Sequence, residues 1–435
     1  MKQILWFRRD LRVLDNAILA NADSNGEILP LFIFDSNILE KLPKDDKRVT
    51  FIYNAVLGLK KELQTIGLDL KIMYGKPQTI FQTLKGEFDE VLCSCDFDSY
   101  AIKRDLAVEK IIPMKRYYDS YLLHPNDTLK KDGTPYKVFT PFYKNLEMIW
   151  GSHHIKEYSP KTSLKLANFD FKDCPTLEEI GFEPQQLTNI LLKNPFQILD
   201  IFKEKLENYK IDRDLFFKDG TSNISVHLRF GLISPKQIFN LLKPLPNSDF
   251  YIRELFWREF YNTILFHFPK SEFENFNSLE IPWENNPLYF KAWCEGKTDV
   301  PIIDASMTYL NRTGLMPNRL RMVVASFLTK NLLCDWRLGE GYFREKLLDC
   351  DASSNIGSWQ WGASTGADSV PYFRVFNPYL QSEKFDKEGI FIKSVLKEFK
   401  NTPPKELHKE NEKAIVSIKS SSKKAIEVFK KAQRC

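Results

Sequence analysis

Four short stretches of this sequence gather acidic, amide, cationic and aromatic side chains densely enough to do chemistry. Around Trp257-Arg258-Glu259-Phe260, Glu254, Trp257 and Arg258 fall at i, i+3 and i+4 of an amphipathic helix, so an acid, an indole and a cation share one face. The same pattern also describes a core tryptophan beside a surface ion pair. After Met316-Pro317, Asn318, Arg321 and Met322 repeat that spacing with an amide, a guanidinium and a thioether. A cavity wall for a planar polar ring has this composition, and so does a satisfied core helix. The run from Asp349 to Trp361 holds Asp349, Asp351, Asn355 and two indoles. On a helix Trp359 and Trp361 lie about 200° apart, so they should serve different surroundings. In Asp219-Gly220-Thr221-Ser222-Asn223-Ile224-Ser225 a glycine and hydroxyls precede an amphipathic run, which suits either a phosphate seat or a plain N-cap.

The elements that must position these residues fall into two kinds. Up to about residue 127, short apolar runs (Ile4–Phe7, Ile28–Phe34, Leu70–Tyr74, Val91–Cys95) alternate with helical stretches such as Val49–Leu63. This alternation predicts an α/β domain, a Rossmann-like doubly wound parallel sheet. No GxGxxG follows the first strand, so the usual dinucleotide fingerprint is missing. Residues 128–195 are rich in proline, including Pro135, Pro141, Pro160, Pro175 and Pro184, and read as a connector. From 196 to 400 one helical apolar pattern follows another, which predicts an all-α domain. Residues 401–435 read as a basic tail in which only Ala414–Ile418 and Ala425–Ala432 have helical character.

Bulk properties bound the function. A chain of 435 residues with 43% apolar content can bury two cores. The apolar start at Ile4–Phe7 is cut off by Arg8, Arg9 and Asp10, and no apolar run reaches the roughly 18 residues that span a bilayer. A soluble, cytoplasmic protein without a membrane partner is the expectation. The seven cysteines (Cys93, Cys95, Cys174, Cys294, Cys334, Cys350 and Cys435) form no CxxC pair and no cluster at metal spacing, so no metal centre is expected. A net charge of +5 is compatible with DNA without requiring it.

Taken in order, Trp6-Phe7-Arg8-Arg9-Asp10-Leu11-Arg12, Gly220-Thr221-Ser222, Trp257-Arg258-Glu259-Phe260, Pro317-Asn318-Arg319-Leu320-Arg321-Met322 and Trp359-Gln360-Trp361 resemble the DNA photolyase and cryptochrome family over nearly the whole chain. Tyr372-Phe373-Arg374-Val375-Phe376-Asn377-Pro378 is similar to the class I cyclobutane pyrimidine dimer photolyases in particular. The resemblance implies FAD in the helical domain, with Tyr209, Thr221, Ser222 and Ser225 near its phosphates and adenine side and Ile224 giving a backbone contact. Arg321 and Asp349 would pair beside the isoalloxazine, Asp351 would meet the ring edge, and Asn355 would face the flavin N5 with a neutral amide.

The same likeness implies that Glu254, Trp257, Asn318, Met322 and Trp361 form the pocket for a flipped-out pyrimidine dimer, with Arg319 available to a phosphate. Trp359, Trp336 and Trp283 match the family's chain of electron-carrying tryptophans. The implied reaction is light-driven electron transfer from reduced FAD to the dimer, ring opening and return of the electron, by a monomer acting on damaged DNA in the nucleoid. A (6-4) photolyase would carry pocket histidines where Asn318 and Met322 stand. A cryptochrome photoreceptor shares the flavin, and a flavin electron carrier would lack the DNA partner. In folate-binding relatives an Asn-Glu pair occupies the positions of Tyr100 and Ala101, so a deazaflavin- or flavin-like antenna is expected instead. Arg48, Asp96 and Asp98 are its expected contacts, although a solvated acidic loop has the same composition.

Overall fold

The structure, a computed structural model, describes residues 1–150, 154–159, 161 and 163–433. Pro160 and Cys435 therefore lie outside the described residues. Strands β1 (Lys2–Phe7), β2 (Glu27–Asp35), β3 (Lys71–Gly75), β4 (Glu90–Ser94) and β5 (Met114–Tyr117) form a parallel sheet in the order β3-β2-β1-β4-β5. A two-residue strand, β6 (Lys165–Leu166), adds to β2. The apolar runs explain the doubly covered sheet. Along β1, Leu5 and Phe7 enter one buried cluster with Phe32 and Phe34, while Ile4 and Trp6 enter another with Leu29 and Leu31. Alternate side chains thus feed the cores on opposite faces of one sheet. The strand order reverses between β1 and β4, and in open α/β sheets the crevice beyond such a point is the usual ligand seat.

Contact density groups the chain into two units along lines that differ from linear boundaries. The first unit comprises Met1–Thr128, Asn145–Glu204 and Ser222–Glu259, and the second Leu129–Lys144, Lys205–Thr221 and Phe260–Cys435. The long helix Asp249–His267 gives its residues up to Glu259 to the first unit and the rest to the second. In the second unit the helices Pro287–Glu295, Pro301–Thr313, Asn318–Ser326, Trp336–Lys346 and Ala352–Ala363 surround a core that includes Trp293, Met307, Leu320, Phe327, Trp336 and Trp359.

The C-terminal stretch departs from the sequence expectation. Ala414–Val416 is not helical, whereas one helix, Ile418–Ala432, contains the expected Ala425–Ala432 segment and extends it back over the serine run. Its serine run has poor helix propensity, but Ile418, Ser421, Ala425 and Phe429 form a buried stripe, and Asn331 donates to the Ser421 hydroxyl at 2.8 Å. Burial of that face outweighs local preference. Among the described residues no helix is long and apolar enough to cross a membrane, and no group of three or more His, Cys, Asp or Glu could hold a metal ion.

Candidate functional site

A polar constellation of the second unit lies where the Ala352–Ala363 helix begins. Asp351 is its N-cap and accepts from the Ser354 N–H, while the Ser353 hydroxyl donates to Asp351 at 2.7 Å. Asn355, buried one turn on, donates from Nδ2 to the Glu340 carboxylate at 2.8 Å and to the Glu340 carbonyl at 3.1 Å. Both partners are acceptors, so the amide orientation is fixed and Oδ1 is the atom left to meet a ligand N–H. Glu340 is itself gripped by Arg344 at 2.8 Å.

On the neighbouring Asn318–Ser326 helix, Arg321 sends Nη2 to both Asp349 oxygens, at 3.0 and 2.8 Å, and Nε to the Met316 carbonyl. Among the described residues its Nη1 has no hydrogen-bond acceptor. An arginine donor and a fixed amide acceptor on adjoining elements suit the polar edge of a flavin ring. Asn318 is exposed, with Nδ2 3.9 Å from the Met322 sulfur. Arg319 is bound to Asp214 at 2.8 Å and lies 4.8 Å from the Phe385 ring centroid, so any phosphate would have to share it with that carboxylate.

The two indoles of the Ala352–Ala363 helix have different fates, as their angular separation requires. Trp361 is half-buried, whereas Trp359 is buried against Trp293 at 5.9 Å and Phe343 at 5.0 Å between ring centroids. Gly339 makes this packing possible. A Cβ there would come within 2.2 Å of the outer edge of the Trp359 ring. Trp336 stands one turn before Gly339 on the same helix, buried, with Nε1 donating to Asn275 at 2.8 Å. Trp283 meets Phe429 edge-on at 5.8 Å, and the Glu284 N–H bonds the Leu333 carbonyl, three residues before Trp336.

Tyr209 is buried, and the Arg213 guanidinium lies 5.4 Å from its ring centroid. At Gly220 a Cβ would fall 2.5 Å from the Asp212 carbonyl oxygen, so only glycine admits this backbone approach before Thr221. In the first unit, the Ser222 hydroxyl accepts from the Tyr251 phenol at 3.1 Å. Burial pushes that phenol up to about 12. The following helix, Ser225–Phe230, has Ile224 as its N-cap and no side-chain cap, so the plain hydroxyl cap is absent. Glu254 and Trp257 are half-buried on the Asp249–His267 helix. Arg258 sends Nη1 to the Ser120 carbonyl at 2.6 Å and lies 4.0 Å from the Tyr121 ring centroid, so this cation braces the fold.

Near the carboxyl ends of β1 and β4, Asp96 pairs with Arg9 at 2.8 Å. Burial opposes its charge, but Arg9 and Arg229 outweigh burial and hold the carboxyl below its ordinary range. Asp98 caps the Ser99–Glu109 helix through the Ala101 N–H, and burial followed by the Asp96 charge pushes it upward. Arg48 is held by Asp46, its own helix cap. Sequence reasoning did not single out Glu340, Gly339, Asn275 or Trp293. A Glu340–Arg344 spacing was visible, but nothing local could indicate that Glu340 also fixes Asn355.

Residues 3–160 match the family described as DNA photolyase, and residues 251–432 match the FAD binding domain of DNA photolyase. A deoxyribodipyrimidine photo-lyase of Alkalihalophilus pseudofirmus is 35% identical over 93% of this chain and 89% of its own length. A bacterial class III photolyase from Agrobacterium tumefaciens superposes with a TM-score of 0.86 at 30% identity, covering 100% of this chain and 98% of that one. An archaeal photolyase from Sulfolobus tokodaii, described with two FAD molecules, gives 0.83 at 32% identity and covers 99% of this chain and all of that one. These relatives do not single out class I. With its parallel α/β sheet, its helical FAD-binding domain and relatives matched along almost their entire length, the chain belongs to the DNA photolyase and cryptochrome family.

Proposed function

We propose that this protein is a deoxyribodipyrimidine photo-lyase, which uses light and FAD to split cyclobutane pyrimidine dimers in DNA. The observation that carries the reading is the orientation of Asn355. Glu340 takes both of its N–H bonds, so a neutral carbonyl is offered to the cofactor next to the Arg321–Asp349 pair. Reduced FAD, when bound, supplies the electron that opens the cyclobutane ring and receives it back. The protein's part is to bind, orient and exclude water.

Arg321, Asp349, Asp351 and Asn355 are assigned to the ring. Tyr209, Thr221, Ser222, Ile224 and Ser225 are assigned to the rest of the cofactor. Glu254 and Trp257 on the Asp249–His267 helix, Asn318 and Met322 on the Asn318–Ser326 helix and Trp361 on the Ala352–Ala363 helix are assigned to the lesion. The indoles offer apolar faces to the bases, and the acid and amide satisfy base N–H and carbonyl groups that would otherwise be buried unpaired. Arg319 is assigned to a DNA phosphate, and Trp359, Trp336 and Trp283 to reduction of oxidised cofactor. A second, deazaflavin- or flavin-like chromophore is assigned to Asp96 and Asp98, which follow β4, and to Arg48 on the Lys47–Thr65 helix. The protein is read as a monomer that works on nucleoid DNA in the cytoplasm.

The test is repair of a thymine-dimer oligonucleotide under blue light by purified, prereduced protein. Turnover that stops in the dark supports the assignment. Bound flavin with no repair would favour a cryptochrome photoreceptor, and a colourless protein that takes up no FAD would end both readings.

A further inference from the structure

Trp293 belongs to none of the motifs that pointed to function, yet it is fully buried in ring contact with Trp359. The two indoles meet edge-to-face, 5.9 Å apart at 73°. Trp293 then meets Tyr342 at 5.7 Å and 65°. Phe290 and Phe343 stack with it at 6.0 and 6.1 Å between ring centroids, each tilted by only 17°. Its Nε1 donates to the Val324 carbonyl at 3.1 Å. The Tyr342 hydroxyl is within hydrogen-bond distance of Asn311 Oδ1, at 2.7 Å, and of the Cys294 carbonyl, at 3.0 Å, and Asn311 is exposed. An unbroken run of aromatic contacts therefore leads from Trp359 toward solvent through Trp293 and Tyr342.

We propose that Trp293 and Tyr342 form a second outlet for the electron vacancy left on Trp359 when that indole gives an electron to photoexcited oxidised cofactor, parallel to the route through Trp336 and Trp283. The proposal rests on the reading of Trp359 as first donor. One electron passes from Trp293 to Trp359 and one from Tyr342 to Trp293. A positive Trp293 is stabilised by the aromatic faces around it, and its N–H is committed to a buried carbonyl, so the vacancy moves on instead of being trapped by proton loss.

Tyr342 is suited to trap it. Burial pushes its phenol up to about 12, so the proton is present at neutral pH and departs on oxidation. Neither Asn311 Oδ1 nor the Cys294 carbonyl is a base at that pH, so the proton goes to solvent water. Lys346, with its ammonium 5.7 Å from the Tyr342 ring centroid, disfavours a positive ring and makes this proton loss the step that holds the vacancy. A dissolved thiol then returns one electron and one proton to the neutral tyrosyl radical.

The experiment illuminates the full-length, flavin-loaded protein with its cofactor oxidised, following photoreduction by absorbance with a thiol present and protein radicals by electron paramagnetic resonance without it. Trp336→Phe is expected to slow photoreduction several-fold without abolishing it and to accumulate a tyrosyl signal that builds more slowly in deuterated solvent. Adding Tyr342→Phe should remove that signal and slow photoreduction several-fold again. Trp293→Phe should do the same, but Trp293 is a core residue, so the decision rests on Tyr342→Phe, which removes only a hydroxyl. Trp336→Phe as inactive in photoreduction as Trp359→Phe, or a tyrosyl signal that survives Tyr342→Phe, would overturn the branch alone. Undiminished photoreduction in Trp359→Phe would overturn the first-donor reading and the branch with it.

Discussion

An asparagine side chain has two N–H donors and one acceptor oxygen, and at Asn355 both donors are spent on Glu340. Replacing Glu340 with alanine frees the amide to rotate, and the expected result is weaker flavin retention with little change in secondary structure, read by absorbance and circular dichroism. Glu254 sits on a half-buried helix face with Trp257, where its assigned task concerns the lesion. Glu254→Ala should therefore lower dimer repair yield more than flavin content. Equal losses of both would place Glu254 with the cofactor. Gly339 offers a purely steric test. A methyl there would meet Trp359 at 2.2 Å, so Gly339→Ala should cost on the order of 1–3 kcal/mol in denaturant unfolding and slow photoreduction.

At the scale of elements, the C-terminal Ile418–Ala432 helix covers a lysine that, among the described residues, faces no charge of opposite sign. Lys330, on the π-helical turn Phe327–Asn331, is fully buried, with Nζ 2.7 Å from the Ser364 hydroxyl and 3.7 Å from the Phe429 ring centroid. Burial lowers it from 10.5 to about 7. The folded chain thus releases a proton that the unfolded chain keeps up to about pH 10.5. Stability from this group is complete above that value, falls as pH drops toward 7, and has been lost below it. Lys330→Met should raise stability below pH 7 by an amount on the order of a few kcal/mol and flatten the slope between 7 and 10.5. Urea unfolding of both proteins at stepped pH measures the difference, and parallel pH profiles would refute it.

At the scale of the whole molecule, a net charge of +5 on 435 residues is modest, so non-specific DNA binding should be weak and steeply dependent on salt. Preference for dimer-containing over undamaged DNA should persist as salt rises, because it rests on base contacts and the ease of flipping a lesion. Titrations of both duplexes at several salt concentrations check this. The sequence by itself determined what depends on period and residue type. Continuous apolar runs specified a sheet buried on both faces, helical spacing specified a helical second domain, and the angle between Trp359 and Trp361 specified that the two would meet different surroundings. Tertiary structure alone decided which partners those faces meet. Arg258 binds the Ser120 carbonyl, Arg319 is held by Asp214, Glu340 fixes Asn355, and a serine-rich stretch becomes helix because its buried stripe packs. The physical reason is that periodicity fixes the direction in which a side chain leaves its own helix or strand. The hydrogen bonds and ring contacts it then makes depend on segments tens to hundreds of residues away, brought near only by burial of the common core.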